Sequence, residues 1–235
     1  MATTGNTQTL KAFDRELDEL RALISQMGGL AEHAIRESMR ALMQRDLAGA
    51  AAVVEEDRKL DQLEAETERR VVQLIARGAP MAEDLHEAIA ALKIVGVVER
   101  IGDYAKNIAK RVPQLGDARD RIEPVSLLPE MARIAAEMVH DVLDAFVERD
   151  AEKARAVCAR DRAVDDFYNS IFRALLTFMM EDPANITPST HLLFVAKNIE
   201  RIGDHATNIA EMVWFAATGE RLTDRQRGAD PLTQS

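Results

Sequence analysis

Eleven residues occur twice in this 235-residue chain, as ERIGDYAKNIA from Glu99 and as ERIGDHATNIA from Glu200. Each copy sets two carboxylates four residues apart, Glu99 with Asp103 and Glu200 with Asp204. Upstream, Asp57 with Asp61 and Asp161 with Asp165 keep the same spacing. On a helix, residues four apart lie on one face. Like charges at that spacing destabilise an isolated helix by about 0.2–0.5 kcal/mol a pair. Carboxylates gathered this way suit hard or borderline cations. A solvated, salt-bridged face is the plainer alternative, since Arg58 can reach Asp61 and Arg100 can reach Asp103, and both arginines recur as Arg162 and Arg201. Two acid pairs per half, written twice in the same order, favour the cation. Gly102 and Gly203 stand beside these acids. A glycine inside a helix costs about 1 kcal/mol relative to alanine, so its recurrence points to close approach by a backbone or a ligand.

Other chemistries find less support. Glu83-x-x-His86 and Glu137-x-x-His140 have the spacing used by carboxylate-bridged di-metal oxidases of the ferritin-like type, and that enzyme is the alternative reading. The two do not align between the halves. His140 falls on the polar side of a helix whose apolar stripe is Met131, Ala135, Met138, Val142 and Ala145, and Glu83 lies in a first turn, where an acid suits the helix dipole. His205 is matched by Tyr104 in the other copy and reads as a surface histidine. There is no GxSxG elbow, GxxxxGK[ST] loop, GxGxxG after a strand or HExxH pair. The ten methionines fall on apolar faces and read as core.

The elements that must position the acids are themselves repeated. Arg45-Asp46 recurs as Arg149-Asp150, offset by 104 residues like the Asp57 and Asp161 pairs, whereas the eleven-residue copies are offset by 101. The three-residue difference falls in turn-rich segments, ARGAPMAED and MEDPANITPST. Apolar residues follow i, i+3, i+4 spacing, and no period-two strand pattern occurs. Three helices are predicted in the first half, about 8–44, 47–77 and 81–112, with Asp46 as a cap, Gly78 and Pro80 as a stop, and Gly28-Gly29 as a place to bend. Three follow in the second, about 127–148, from Asp150 to 181, and 188–217, closed by Gly219. The third helix presents Val97, Ile101, Ala105, Ile108 and Val112 on one face, with Glu99, Asp103 and Asn107 opposite; the acids are therefore predicted to lie outside the core. The fold class is all-α, two tandem three-helix bundles of six long helices laid end to end or side by side. The domain limits are 8–115 and 124–219, and 220–235 reads as a disordered tail.

Composition agrees with long helices: 47% hydrophobic residues, enough for a core, but only 4% aromatics. A net charge of −10 disfavours nucleic acid. The single cysteine, Cys158, can form no internal disulfide and reads as an apolar filler. No apolar run is long enough for a signal peptide or a membrane span, so a cytoplasmic address is expected.

Paired acid motifs in two tandem three-helix halves, with ERIGDYAKNIA and ERIGDHATNIA on the third helix of each, resemble the PhoU family, accessory proteins of the phosphate-specific transport system. The resemblance runs from about residue 10 to 217. It implies multinuclear iron or zinc clusters held by Asp57, Asp61, Glu99, Asp103, Asp161, Asp165, Glu200 and Asp204. It implies regulation rather than catalysis: contact with the ATPase subunit of the phosphate importer and with a sensor histidine kinase, keeping phosphate-starvation genes silent when phosphate is plentiful. It also implies a homodimer that meets the membrane only through its partners.

Overall fold

A computed structural model describes residues 3–78, 82–116 and 122–222. The six long helices are α1 (Thr3–Gln44), α2 (Leu47–Gly78), α3 (Ala82–Ala109), α5 (Leu128–Glu148), α6 (Ala151–Glu181) and α7 (Ile186–Thr218), with a one-turn α4 (Val112–Leu115) after α3. The predicted tail from residue 223 onward lies outside the described residues.

The helices begin and end for local reasons. Asp46 Oδ1 accepts a hydrogen bond from the Gly49 amide at 2.8 Å, and Asp150 Oδ1 accepts one from Lys153 at 2.9 Å. Each is an N-cap, worth about 1 kcal/mol. The residue before each cap, Arg45 or Arg149, turns the chain with φ of 56° or 57°. Gly219, with φ 73°, closes α7. Helix α1 runs unbroken through Gly28 and Gly29, and Gly28 leaves room for Leu143 of α5, whose Cδ1 lies 2.2 Å from where a Cβ would be.

Within each half the three long helices pack on one another, and the halves lie side by side, joined by α3 against α7 and α1 against α5. The outer flanks are α2 and α6. Buried side chains from both halves form one continuous core. Helix α3 is buried on more of its circumference than a single stripe, with Ile94, Val95, Val98, Ile101, Ala105 and Ile108 all inside. Val98, rather than Val97, is the fully buried valine, because α3 is wedged between α1, α2 and α7.

Helices α3 and α7 run antiparallel along the seam. His86 packs against Phe215 with ring centroids 5.1 Å apart, Tyr104 meets His205 edge-on at 5.2 Å, and Arg111 lies over Phe194 at 4.2 Å. His205 is thus half-buried in the seam rather than a surface residue. A second tie between the halves is ionic. Glu87, buried in α3, accepts a hydrogen bond from Arg21 Nε at 2.7 Å and faces the Arg149 guanidinium at 2.6 Å.

Candidate functional site: two carboxylate clusters

Each half places its two acid pairs across one helix–helix groove. In the first half, α2 contributes Asp57 and Asp61 and α3 contributes Glu99 and Asp103. Glu99 feels the charge of all three partners. Burial first, then Asp103 and the neighbouring acids, push its carboxyl up to about 7 from the ordinary 4.5. Glu64, one turn beyond Asp61, joins the cluster; burial and then Glu68, Asp61 and Asp103 raise its pKa. The acids are not on the far side of the bundle: Asp57, Glu99 and Asp103 are half-buried in the α2–α3 groove.

A lysine closes this cluster. Lys106 Nζ bonds Asp57 Oδ2 at 2.5 Å and pairs with Asp103. Burial lowers the Lys106 pKa, but the bonds to Asp103 and Asp57 outweigh it and raise it, keeping the ammonium charged. Burial raises the Asp57 pKa, opposed by that lysine. The arginine pairings allowed by sequence are not the ones made: Arg58 pairs with Glu55, and Arg100 forms no ion pair among the described residues. Gly102 lets α2 come close, since a Cβ there would lie 2.2 Å from Leu60 Cδ2 and 3.6 Å from Asp57 Oδ1.

In the second half, α6 supplies Asp161 and Asp165, and α7 supplies Glu200 and Asp204. Asp161 is buried. Burial, then Asp161 and Asp204, push Asp165 up to about 6 from 3.8. Burial also raises the Glu200 pKa, opposed by Lys197, whose Nζ bonds Glu200 Oε1 at 2.7 Å. The other Glu200 oxygen, Oε2, is buried with no hydrogen-bond partner. Lys197 also lies 5.0 Å from the centre of the Tyr168 ring, and Tyr168 stands where the first half has Glu64. Thr207 stands where the first half has Lys106. A Cβ on Gly203 would come only as near as 3.4 Å, to Asp161 Oδ1 and Val164 Cγ1.

All eight sequence-predicted carboxylates therefore gather into two clusters of four. Glu64 and the two lysines were missed. The signal for Glu64 was its spacing, one more turn along the Asp57–Asp61 face. The donor sets are oxygen-rich and one buried carboxylate oxygen lacks a partner, which fits a hard cation. Among the described residues no group of three or more His, Cys, Asp or Glu side chains is arranged to hold a metal ion. The ferritin-like sets are engaged elsewhere. Glu137 is paired with Arg133 and Arg160, and His140 with Glu32 and Asp144. His86 stacks on Phe215, and the side chain of Glu83 lies outside the described residues.

The chain is thus a duplicated helical bundle that carries one carboxylate cluster in each half. The family model described as the PhoU domain matches twice, over residues 24–112 and 128–213. The chain belongs to the PhoU family. It is 53% identical to a phosphate-specific transport system accessory protein PhoU homolog of Zymomonas mobilis, over 95% of this chain and 94% of that one. It is 47% identical to the Caulobacter vibrioides homolog of the same name, over 96% and 98%. Among solved structures, it resembles PhoU from Pseudomonas aeruginosa with a TM-score of 0.84 and 36% identity, covering 88% of this chain and all of that one. The phosphate transport system regulatory protein PhoU from Streptococcus pneumoniae gives 0.83 at 28% identity, over 89% and 99%.

Proposed function

We propose that this protein is a non-catalytic accessory regulator of phosphate-specific transport that represses the phosphate-starvation response. It acts as an adaptor between the importer's ATPase subunit and a sensor histidine kinase, on the cytoplasmic face and as a homodimer. The observation that carries this reading is the near-full-length similarity to accessory proteins of that system. No described helix is long and apolar enough to cross a membrane, which fits contact with the membrane through partners. Long exposed helical faces suit docking against partner helices. Deleting the gene should raise phosphatase expression and change phosphate uptake in phosphate-rich medium. Unchanged expression and uptake would overturn the reading.

The carboxylate clusters are proposed to hold multinuclear iron or zinc through Asp57, Asp61, Glu99 and Asp103, and through Asp161, Asp165, Glu200 and Asp204. A bound cation would offset the burial and the acid repulsion that raise the pKa of Glu99 and Asp165, and so would tie the outer helix of each half to the seam helix. Seating it requires Lys106 and Lys197 to swing out of the acid groups they occupy. Elemental analysis of protein purified without a metal-affinity tag tests this. Iron or zinc above one per chain, lost when Glu99, Asp103, Glu200 and Asp204 become Ala, is the expected result. No metal after incubation with excess of both would leave the acids as lysine-bridged surface.

A further inference from the structure

The α3–α7 seam opens on one side into a cavity of about 490 Å³, within the roughly 300–1,000 Å³ of pockets that take small molecules. Its walls divide by chemistry. Lys93 and Arg100 of α3, with Arg221 beyond the end of α7, give it three cations. Ile89, Met212 and Phe215 give it an apolar side. Among the described residues none of the three cations forms an ion pair. That contrasts with Arg133 and Arg160, each held by two carboxylates, in a chain whose net charge is −10. Acids are plentiful on this protein, yet Glu211 is the one carboxylate lining the cavity among the described residues.

The duplication supplies a control. With the 101-residue offset, Lys93 corresponds to Phe194 and Met212 to Arg111. At that end of the seam Arg111 lies over the Phe194 ring at 4.2 Å and meets His191 Nδ1 at 3.1 Å. The protein's own cation and aromatic ring fill that place. The open cavity is therefore not a by-product of packing two repeats, and among the described residues no ion-pair partner for the three cations and no ring stacked as Phe194 is under Arg111 is seated in it.

From this we infer that the α3–α7 cavity binds a nucleoside phosphate, with its phosphates on Lys93, Arg100 and Arg221 and its base against Phe215 and Met212. Guanidinium and ammonium groups bond phosphate oxygens through charge-assisted hydrogen bonds, and bases stack on aromatic side chains without strong sequence preference. Inorganic phosphate would use the cations and leave the apolar wall idle. An acidic helix would need an open two-helix groove. Here Arg221 and Leu222, turned back after Gly219, form a third wall that such a helix would have to displace. The charge of Arg100 also reaches Glu64 of the first cluster, but the site does not rest on the clusters' holding metal.

Isothermal titration of the full-length protein, with chelator present so that no metal bridges the nucleotide to the acids, tests the assignment. The ligands are ATP, AMP, inorganic phosphate and poly-glutamate. ATP is expected to saturate one site per chain, with inorganic phosphate at least tenfold weaker. Lys93→Ser with Arg221→Ser, both exposed positions, should weaken ATP at least tenfold, since a tenfold loss needs only about 1.4 kcal/mol. Phe215→Leu should weaken ATP and leave inorganic phosphate unchanged, a split that general unfolding would not give. Absence of saturable binding of both nucleotides up to millimolar concentration overturns the proposal. So does ATP binding that survives the double substitution, inorganic phosphate binding as tightly as ATP, or displacement of ATP by poly-glutamate at lower concentration.

Discussion

The two carboxylate clusters descend from one pattern, yet they solve the same electrostatic problem differently. In the first, Lys106 sits between Asp57 and Asp103 and joins the two helices, while Glu64 adds a fifth acid. In the second, the lysine lies at the other end, on Glu200 and against Tyr168, and the Lys106 position is a threonine. The repeat thus preserves the acids and relocates the cation that balances them. The teaching is that the carboxylates are the shared requirement, whereas the neutralising group is free to vary.

Removing each lysine separates the two arrangements most sharply. Lys106→Met should cost about 2–3 kcal/mol in urea unfolding with chelator above neutral pH, because the Asp57 side chain it abandons is only 7% exposed; the cost stays below the ~3–5 kcal/mol for breaking a fully buried pair because the lysine itself is 19% exposed. Lys197→Met should cost less, about 1–2 kcal/mol for a partly buried carboxylate left without a donor, since that lysine is 38% exposed and bonds one acid rather than two, although the Glu200 side chain is only 14% exposed. Equal losses would break the contrast.

The pH profile comes next. The folded pKa of Glu99, about 7, lies above its ordinary 4.5, so the native state binds the proton more tightly than the unfolded chain. Its contribution is fully present below 4.5 and is lost as pH rises through 7. For Asp165 the corresponding window runs from 3.8 to about 6. Metal-free Glu99→Gln should flatten the decline in stability up to pH 7, and Asp165→Asn only the part that ends near 6. Chemical denaturation followed across pH checks this, and a profile unchanged by Glu99→Gln would remove the burial of Glu99 and its repulsion by the neighbouring acids from the account.

The smallest effects belong to the glycines, and they should differ in sign. Gly102→Ala drives a Cβ into Leu60. Overpacking of about 1–3 kcal/mol, offset by about 1 kcal/mol of helix propensity, leaves a net loss of roughly 1 kcal/mol. Gly203→Ala meets nothing closer than 3.4 Å and should gain roughly 0.5–1 kcal/mol from reduced chain freedom. Thermal melts of the two variants decide it, and a matching loss at Gly203 would mean the second groove is as tight as the first.

Helix limits were legible because their signals are local. Asp46 and Asp150 cap through their own side chains three residues ahead, and Gly219 ends α7 through its own φ. The eight acids were legible because the chain writes them twice. The lysines were not, because Lys106 and Lys197 occupy non-equivalent positions and carry no repeat signal. The burial of Glu99 was also hidden. A helical wheel assumes one apolar face, whereas α3 packs against three helices and leaves little outside for its acids. Likewise the pattern offered Arg100 to Asp103, and only the three-dimensional arrangement shows Lys106 taking that acid while Arg100 turns to the seam cavity.

Tyr104 and His205 are the same position of the duplicated segment, and they touch. A residue that meets its own counterpart marks a two-fold axis, as in an isologous dimer. The seam between α3 and α7 therefore has the symmetry that two identical half-length chains associated face to face would have. In such a dimer the axial residue must be compatible with itself. A single chain carrying both halves is free of that restriction, and here a tyrosine on one side faces a histidine on the other. The same freedom accounts for a seam with one end plugged by Arg111 and Phe194 and the other left open: a chain that carries both halves can specialise each separately, which a symmetric pair cannot.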